Sequence, residues 1–475
     1  MPISFCMRTQ TDTPLPDLHT LVQLWDHQYA HQPVDTPFLY TGPTQASKAF
    51  SRKEVNAFGH CLAAYFISQG MQKGDRVLLF AINGPVYLFY ELALQIAGLV
   101  NVTVDHDTTP EHLQRIYEHV KPRTILVPSY EEYRAHKAWL DAHAAQCPIL
   151  CEADPEEEMD ESDQVTVMRN AMEFGKIYWR ENLEQVQARK QSVGPADIAS
   201  IVYDTRTEAA HHRGVVLSQQ NFMQGLASIL TCLPHIGGHR RMLSILSNAY
   251  LLQRLYAFYV PLATGMDLYC SRGATHYFSE VRADKPKAVV LVPDLLLLLR
   301  TEAQRHFRRG RWLRRRYYEQ AFRLAYRVLK CQHAGQRVAV GQRFRYWLAQ
   351  YFIIRPVRRR YFGNLHLLLC DRQGLTEELE YYCHALRLPL VTGFGLNETT
   401  GVLAINPTPA QRPLSAGQVV PGLELKPDEK GSLRVRGPLL MAGYWQEPKP
   451  KGEWLTVSAP VQIRIQQDWI YLGTQ

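Results

Sequence analysis

Between Arg76 and Val127 the chain alternates short apolar runs with helical patterns, at a spacing that fits strands joined by crossing helices. The runs predict a strand over Arg76–Ile82, a helix over Val86–Ala97, a strand over Asn101–Val104, a helix from Thr109 to about His119 and a strand over Thr124–Val127. Upstream, apolar residues recur at helical spacing from Leu18 to Tyr29, and Phe38–Tyr40 reads as a short strand. Ser51 with Glu54 three residues later forms a capping-box pattern, so a helix is expected to begin there and to end before Gly70 and Gly74. Such βαβ units predict a mostly parallel sheet. The longest apolar stretch, Val77–Val104, is interrupted by Asn83, Gly84, Pro85, Glu91 and Gln95, which fits a buried strand, turn and helix and not a transmembrane span.

With 475 residues the chain is expected to divide into two to four lobes, and 46% hydrophobic against 21% charged residues excludes a disordered chain. Nine cysteines are scattered without zinc-ligand spacing, and MPISFCMRTQTD carries no leader pattern. Reduced thiols and a cytoplasmic location are expected. The net charge of +8 is unevenly placed. From Arg300 to Arg360 there are eighteen Lys or Arg against only Glu302 and Glu319, a net +16, so the remainder carries −8.

The most informative stretch for function is Gly393–Gly401, GFGLNETTG, preceded by the apolar run Pro389–Thr392. It reads as a strand delivering one carboxylate, Glu398, to a glycine-rich loop. Gly393 and Gly395 would let backbone approach a ligand, and Glu398 could hold a hard cation such as Mg²⁺ with phosphates completing its shell. A tight strand-end turn with a solvated Glu accounts for the same residues.

This stretch resembles the GYGxTE segment of the adenylate-forming superfamily, which includes acyl-CoA synthetases, luciferases and adenylation domains. The resemblance implies that Phe394 and Gly395 flank adenine and that Glu398 binds Mg²⁺, while Asn397 replaces a Thr that touches phosphate. It extends over nearly the whole chain. Gly74-Asp75-Arg76-Val77, Asn83 and Gly98–Val102 are similar to the first-lobe motifs GDxV, an Asn-bearing turn and GxVxV. Gly431–Pro438 is similar to GEIxVRGP, and Met441–Trp445 to MxGYY. It therefore implies an α/β fold with two lobes of mostly parallel sheet flanked by helices, residues 1–190 and 191–400. A small β-barrel lobe, 401–475, is expected to follow. No counterpart of the family's mobile C-terminal domain, with its catalytic Lys, is expected within this sequence.

Several nucleotide motifs depart from the family pattern. The strand at Pro195–Tyr203 resembles the lead-in to the phosphate loop, but the loop itself reads Asp204–Gly214 with Arg206 and Ala209 where glycines are expected. A phosphate cradle needs converging backbone N–H groups and a neutralising cation. Thr205, Thr207 and Arg213 are the residues left to contact phosphates, and Arg213 stands near the family Lys. Leu246–Arg254 resembles LPLAHxxER, with Tyr250 for the His and Gln253 for the Glu. Asp371 and Arg372 occupy the place of GGAPL, where bare backbone lies against adenine. Ala459 replaces the Asp that holds the ribose hydroxyls.

Residues 293–363 correspond to an insert found in long-chain acyl-CoA synthetases. Its arginines interleave with aromatics at Arg314–Tyr318, Phe322, Tyr326, Arg343, Arg345–Trp347 and Arg358–Arg360. This composition suits an anionic membrane surface or an acidic partner; a solvated hairpin packed on the second lobe also fits, and no nucleic-acid fold surrounds it.

Three readings compete. The first is a long-chain acyl-CoA synthetase relative that has lost catalysis and binds an acyl chain or a partner. The second is an active AMP-forming ligase using ATP, Mg²⁺, a fatty acid and CoA, completed by a separate C-terminal domain or an acyl carrier. In it Glu398 and Arg213 are catalytic. The third is a peripheral membrane protein that uses the basic insert.

Overall fold

The structure is a computed structural model describing residue 15 and residues 17–41, 48–153, 160, 163–204, 213–233, 240–308, 312–407, 411–427, 433–447, 454–457, 463–466 and 469–472. Thr205, Thr207 and Ala459 fall outside these residues.

The capping box closes as the sequence predicts. Ser51 Oγ accepts from the Glu54 N–H at 3.2 Å, and Glu54 Oε2 accepts from the Ser51 N–H at 2.8 Å. Two orphan donors are thereby satisfied, and helix Arg52–Ser68 follows. Then come strand Arg76–Ala81, helix Pro85–Ala97, strand Val100–Asp105, helix Pro110–Val120 and strand Thr124–Val127. Arg76–Ala81 lies between the other two strands, parallel to both. Helix Pro85–Ala97 is buried on every side from Tyr87 onward, which fits a sequence that is apolar on all faces save Glu91 and Gln95. Among the described residues no helix is long and apolar enough to cross a membrane.

Among the described residues two large sheets form, and the first has eight strands. In spatial order they are Gly443–Tyr444, Val215–Ser218, Ile198–Val202, Val100–Asp105, Arg76–Ala81, Thr124–Val127, Ile149–Cys151 and Val165–Val167. The second has eleven. Five parallel strands form its centre, from Asp267–Cys270 through Arg241–Ser244, Ala288–Leu291 and Leu367–Asp371 to Leu390–Phe394. Pro37–Thr41 adds to it in parallel beside Asp267–Cys270. Asn83, at the end of a first-sheet strand, ties the two sheets together. Its Nδ2 donates to Ser244 O at 2.7 Å and Ser271 O at 2.8 Å, and its Oδ1 accepts from Ser244 Oγ at 2.7 Å.

The expected β-barrel is corrected by the structure: among the described residues no closed barrel forms. Ala404–Ile405, Gly417–Val419, Trp469–Leu472 and Ile463–Gln466 extend the second sheet in antiparallel fashion. Glu424–Pro427, Leu433–Arg436 and Leu455–Val457 make a separate three-stranded sheet. Gly417 shows why the sheet continues. At φ +116° its backbone lies flush on Ile405, where a Cβ would come within 1.9 Å of the Ile405 carbonyl carbon.

The basic insert folds as helices Pro293–Arg308, Trp312–His333 and Val340–Ala349, a π-helical turn Gln350–Ile354 and helix Arg355–Tyr361. Helix Trp312–His333 packs on helix Glu377–Ala385, which joins two strands of the second sheet. Phe322 and Tyr382 have ring centroids 4.8 Å apart, and Lys330 Nζ donates to Glu377 at 2.7 Å. Thr376 caps helix Glu377–Ala385, its side chain accepting from the Leu379 N–H.

Candidate functional site

The GFGLNETTG segment leaves strand Leu390–Phe394, makes a single 3₁₀ turn at Asn397–Thr399 and crosses back over itself. Thr400 takes a left-handed conformation at φ 53° to complete the turn. The crossing explains Gly395. A Cβ there would meet Gly401 O at 2.1 Å, so glycine at this position serves loop closure directly. Leu403 N–H donates to Phe394 O at 2.8 Å and clasps the base of the loop.

The predicted residues separate at this loop. Gly395 and Asn397 line a cleft, together with Asp105 and Asp204 from the first-sheet side and Asp371 from the second. Phe394 does not line it. Its side chain is 2% exposed and packs in the core, because it ends the strand on the inward face. The resemblance implies that Phe394 lies beside adenine; in the structure it is buried next to Gly395, which does line the cleft. The cleft has a cavity volume of about 60 Å³. Small-molecule sites usually offer about 300–1,000 Å³.

Among the described residues, the charges lining the cleft are all of one sign. Asp105, Asp204 and Asp371 are present, and no Lys or Arg occurs among the described lining residues. Asp371 accepts from the Gln373 N–H at 2.9 Å, and Asp105 Oδ1 lies 2.9 Å from His106 Nδ1. Arg372 follows Asp371 in sequence, but its guanidinium turns to Glu380 at 2.7 Å and is buried there. It gives the cleft no neutralising charge.

Glu398 and Arg213 meet other partners. Tyr444 Oη donates to Glu398 Oε1 at 3.0 Å. Arg213 lies 3.5 Å over the Tyr444 ring, donates from Nε to Glu447 Oε1 at 2.7 Å, and closes a second contact from Nη2 to Glu447 Oε2. The sheet sets this up: Gly443–Tyr444 pairs antiparallel with Val215–Ser218, and Trp445 N–H donates to Gly214 O at 2.7 Å. Glu398, Tyr444, Arg213 and Glu447 form one chain of contacts. Hydrogen bonding to Arg213 holds the Glu447 carboxyl below its usual range and raises the Arg213 guanidinium further. Burial, and then the Glu398 charge, push the Tyr444 phenol up. The Arg213–Glu447 pair is half-exposed, so it contributes at most about 1 kcal/mol. It occupies the guanidinium fork that a phosphate would need.

Glu398 fits a Mg²⁺ ligand in kind. It is a partly buried carboxylate accepting one hydrogen bond, with lone pairs left for a cation.

A second network was not legible in the sequence. Arg254 is wholly buried at the start of a π-helical turn, Arg254–Tyr259, and pairs with Glu91 at 3.1 Å while donating to Ser200 Oγ at 3.0 Å. Gln95 Nε2 also donates to Glu91 at 3.2 Å, and Tyr259 and Asn101 donate to it at short range. The available signal was Glu91 itself, since a lone carboxylate within an apolar helix implies a buried partner.

A larger cavity, about 430 Å³, opens between helices Pro293–Arg308, Trp312–His333 and Glu377–Ala385. Tyr318, Phe322, Tyr326 and Tyr382 wall it, and Arg300, Arg323 and Arg327 rim it. It shares no lining residue with the cleft.

A family model described as AMP-binding enzyme matches residues 25–445. The chain belongs to that family. Among its relatives is the long-chain-fatty-acid–CoA ligase FadD15 of Mycobacterium bovis, 22% identical over 82% of this chain and 62% of the relative. The Arabidopsis thaliana chloroplastic long-chain-fatty-acid–[acyl-carrier-protein] ligase AEE15 is 21% identical over 82% of this chain and 58% of its own length. The chain thus spans about three fifths of these relatives. Two solved structures share the fold. One is the N-terminal domain of FACL13 from Mycobacterium tuberculosis, with TM-score 0.68, 13% identity, and coverage of 96% of this chain and 100% of that one. The other is the anthranilate CoA ligase AuaEII, with TM-score 0.69, 13% identity, and coverage of 97% and 78%. The α/β architecture is that of adenylate-forming ligase N-terminal domains.

Proposed function

We propose that this member of the AMP-binding family binds an acyl chain, or a partner, without activating it through ATP. The observation that carries this reading is the cleft beside Gly395 and Asn397. Three aspartates line it, no described cation faces it, and Arg213 is engaged by Glu447. A triphosphate entering there would meet like charge. Loss of one charge-stabilising donor typically lowers a rate by about 10²–10³. Losses within one site are not additive, but several together leave little. The acyl part rests on relatives named as long-chain fatty acid ligases and on the aromatic cavity of about 430 Å³ at the insert.

The competing reading is an AMP-forming acyl-CoA or acyl-carrier-protein ligase working with a C-terminal domain. Glu398 favours it, since this carboxylate stands in the cleft loop and is suited to Mg²⁺. In that reading the fatty carboxylate attacks the α-phosphorus of ATP, pyrophosphate leaves, and a thiol of CoA or a carrier then takes the acyl group. Glu398 would hold the metal, and Arg213, once released from Glu447, would contact phosphate with Thr205 and Thr207.

Fatty-acid-dependent AMP formation separates the two. The chain, alone and with the C-terminal domain of a family ligase supplied in trans, is incubated with a long-chain fatty acid, ATP·Mg²⁺ and CoA, and fatty-acid binding is measured alongside. Binding without AMP above background is expected. AMP formation that requires Glu398 would replace this proposal with the ligase reading.

A further inference from the structure

The helix Val340–Ala349 and its π-helical continuation present large apolar side chains to solvent. Val340, Phe344, Trp347 and Tyr351 follow one another at steps of four, three and four residues, which at 100° per residue places them in one stripe. With Phe352 they are between 56% and 81% exposed. Along the stripe the rings lie against one another. Phe344 stacks on Trp347 with centroids 6.0 Å apart, and Trp347 on Tyr351 at 6.4 Å. The opposite face is anchored, with Ala349, Ile354 and Val357 buried and Gln350 Nε2 donating to Ala385 O at 2.7 Å. The helix therefore cannot roll its aromatic face inward.

The charge around the stripe is uncompensated. Residues 320–370 contain no Asp or Glu. Arg343, Arg345, Arg355 and Arg359 are exposed, and none has a carboxylate partner among the described residues. Burial, then the charges of Arg387 and Arg355, depress the Arg358 guanidinium, which marks a site where positive charge is concentrated.

We propose that this aromatic stripe, with its flanking arginines, docks the protein on an anionic lipid surface. Aromatic side chains seat at the boundary between headgroups and acyl chains, while arginines reach the phosphates of the headgroups. Each arginine near such a surface strengthens attachment about fivefold. A second copy of the chain fits poorly, because a two-fold interface here would set arginine against arginine. Single-stranded nucleic acid fits less well than lipid, because the stacked rings turn their faces toward each other and not outward to bases. The inference is independent of whether the cleft binds nucleotide.

The test is co-sedimentation of the full chain with vesicles of phosphatidylcholine alone or mixed with phosphatidylserine, at low and high salt. Binding to the mixed vesicles, weakened by salt, is expected. Phe344→Ser with Trp347→Ser should lower it at least tenfold with an unchanged melting temperature, since both side chains are exposed. Arg343→Glu with Arg345→Glu should abolish the preference for phosphatidylserine. Fluorescence lost in Trp347→Phe should be the component that brominated lipid quenches in the parent chain. No binding to the mixed vesicles would overturn the proposal, as would binding unaffected by these substitutions. Dimerisation or nucleic-acid binding that Trp347→Ser removes, without vesicle binding, would assign the stripe to that partner instead.

Discussion

Tyr444 and Glu398, 46 residues apart in sequence, meet through a hydrogen bond of 3.0 Å, and the other side of the Tyr444 ring environment is taken by Arg213 at 3.5 Å. The residue expected to hold a metal and the residue expected to hold phosphate are thus bridged by one tyrosine. Glu447 completes the arrangement by taking the guanidinium fork.

Because the Arg213–Glu447 pair is half-exposed, Glu447→Gln should change stability by less than about 1 kcal/mol. Thermal melts of the variant and parent at neutral pH would check this. A larger loss would mean that the pair is structural.

The buried pair should behave oppositely. Glu91→Leu leaves the Arg254 charge wholly buried without its partner and should cost about 3–5 kcal/mol, read from the urea midpoint. Adding Arg254→Met should recover most of that loss, since the lone charge is then gone.

The difference between these two pairs tracks what a sequence can convey. Ser51 with Glu54 and Thr376 with its helix are local patterns, and both form as the residues predict. The strand over Thr124–Val127 is found with the expected bounds, because a run buried on both faces needs no partner to be recognised. Arg213 and Glu447 are 234 residues apart, and Glu91 and Arg254 are 163 apart. No local pattern encodes such pairings. Phe394 is buried and does not line the cleft, and similarity of motif does not say which face of a strand points inward. The barrel was misplaced because strand composition does not say which edge a strand will join.

Gly395 and Gly393 should respond differently to a methyl group. At Gly395 the new Cβ would collide with the backbone of Gly401, and Gly395→Ala should cost about 1–3 kcal/mol. At Gly393 the nearest atom is Ala404 O at 3.4 Å, so Gly393→Ala should cost less than the first substitution. Denaturant midpoints of the two variants would distinguish them.

His60 should make stability pH-dependent. Its ring is buried, stacked 4.8 Å from Trp179, and burial lowers its pKa from 6.5 to about 4. Between those values the unfolded chain binds a proton that the folded chain does not. Stability from this residue is therefore complete above 6.5 and lost as pH falls toward 4. Between pH 7 and 5 the loss should be about 2 kcal/mol. His60→Gln should flatten that part of the profile in urea titrations at the two pH values.

The most direct measurement is titration of ATP·Mg²⁺ into the purified chain, by calorimetry and by thermal shift. Ligand at a hundred times its dissociation constant adds about 2.7 kcal/mol, enough to move the melting temperature visibly. No heat and no shift are expected, because the described cleft offers carboxylates and no cation. A clear shift that Glu398→Ala abolishes would contradict that expectation and show that the nucleotide site still works.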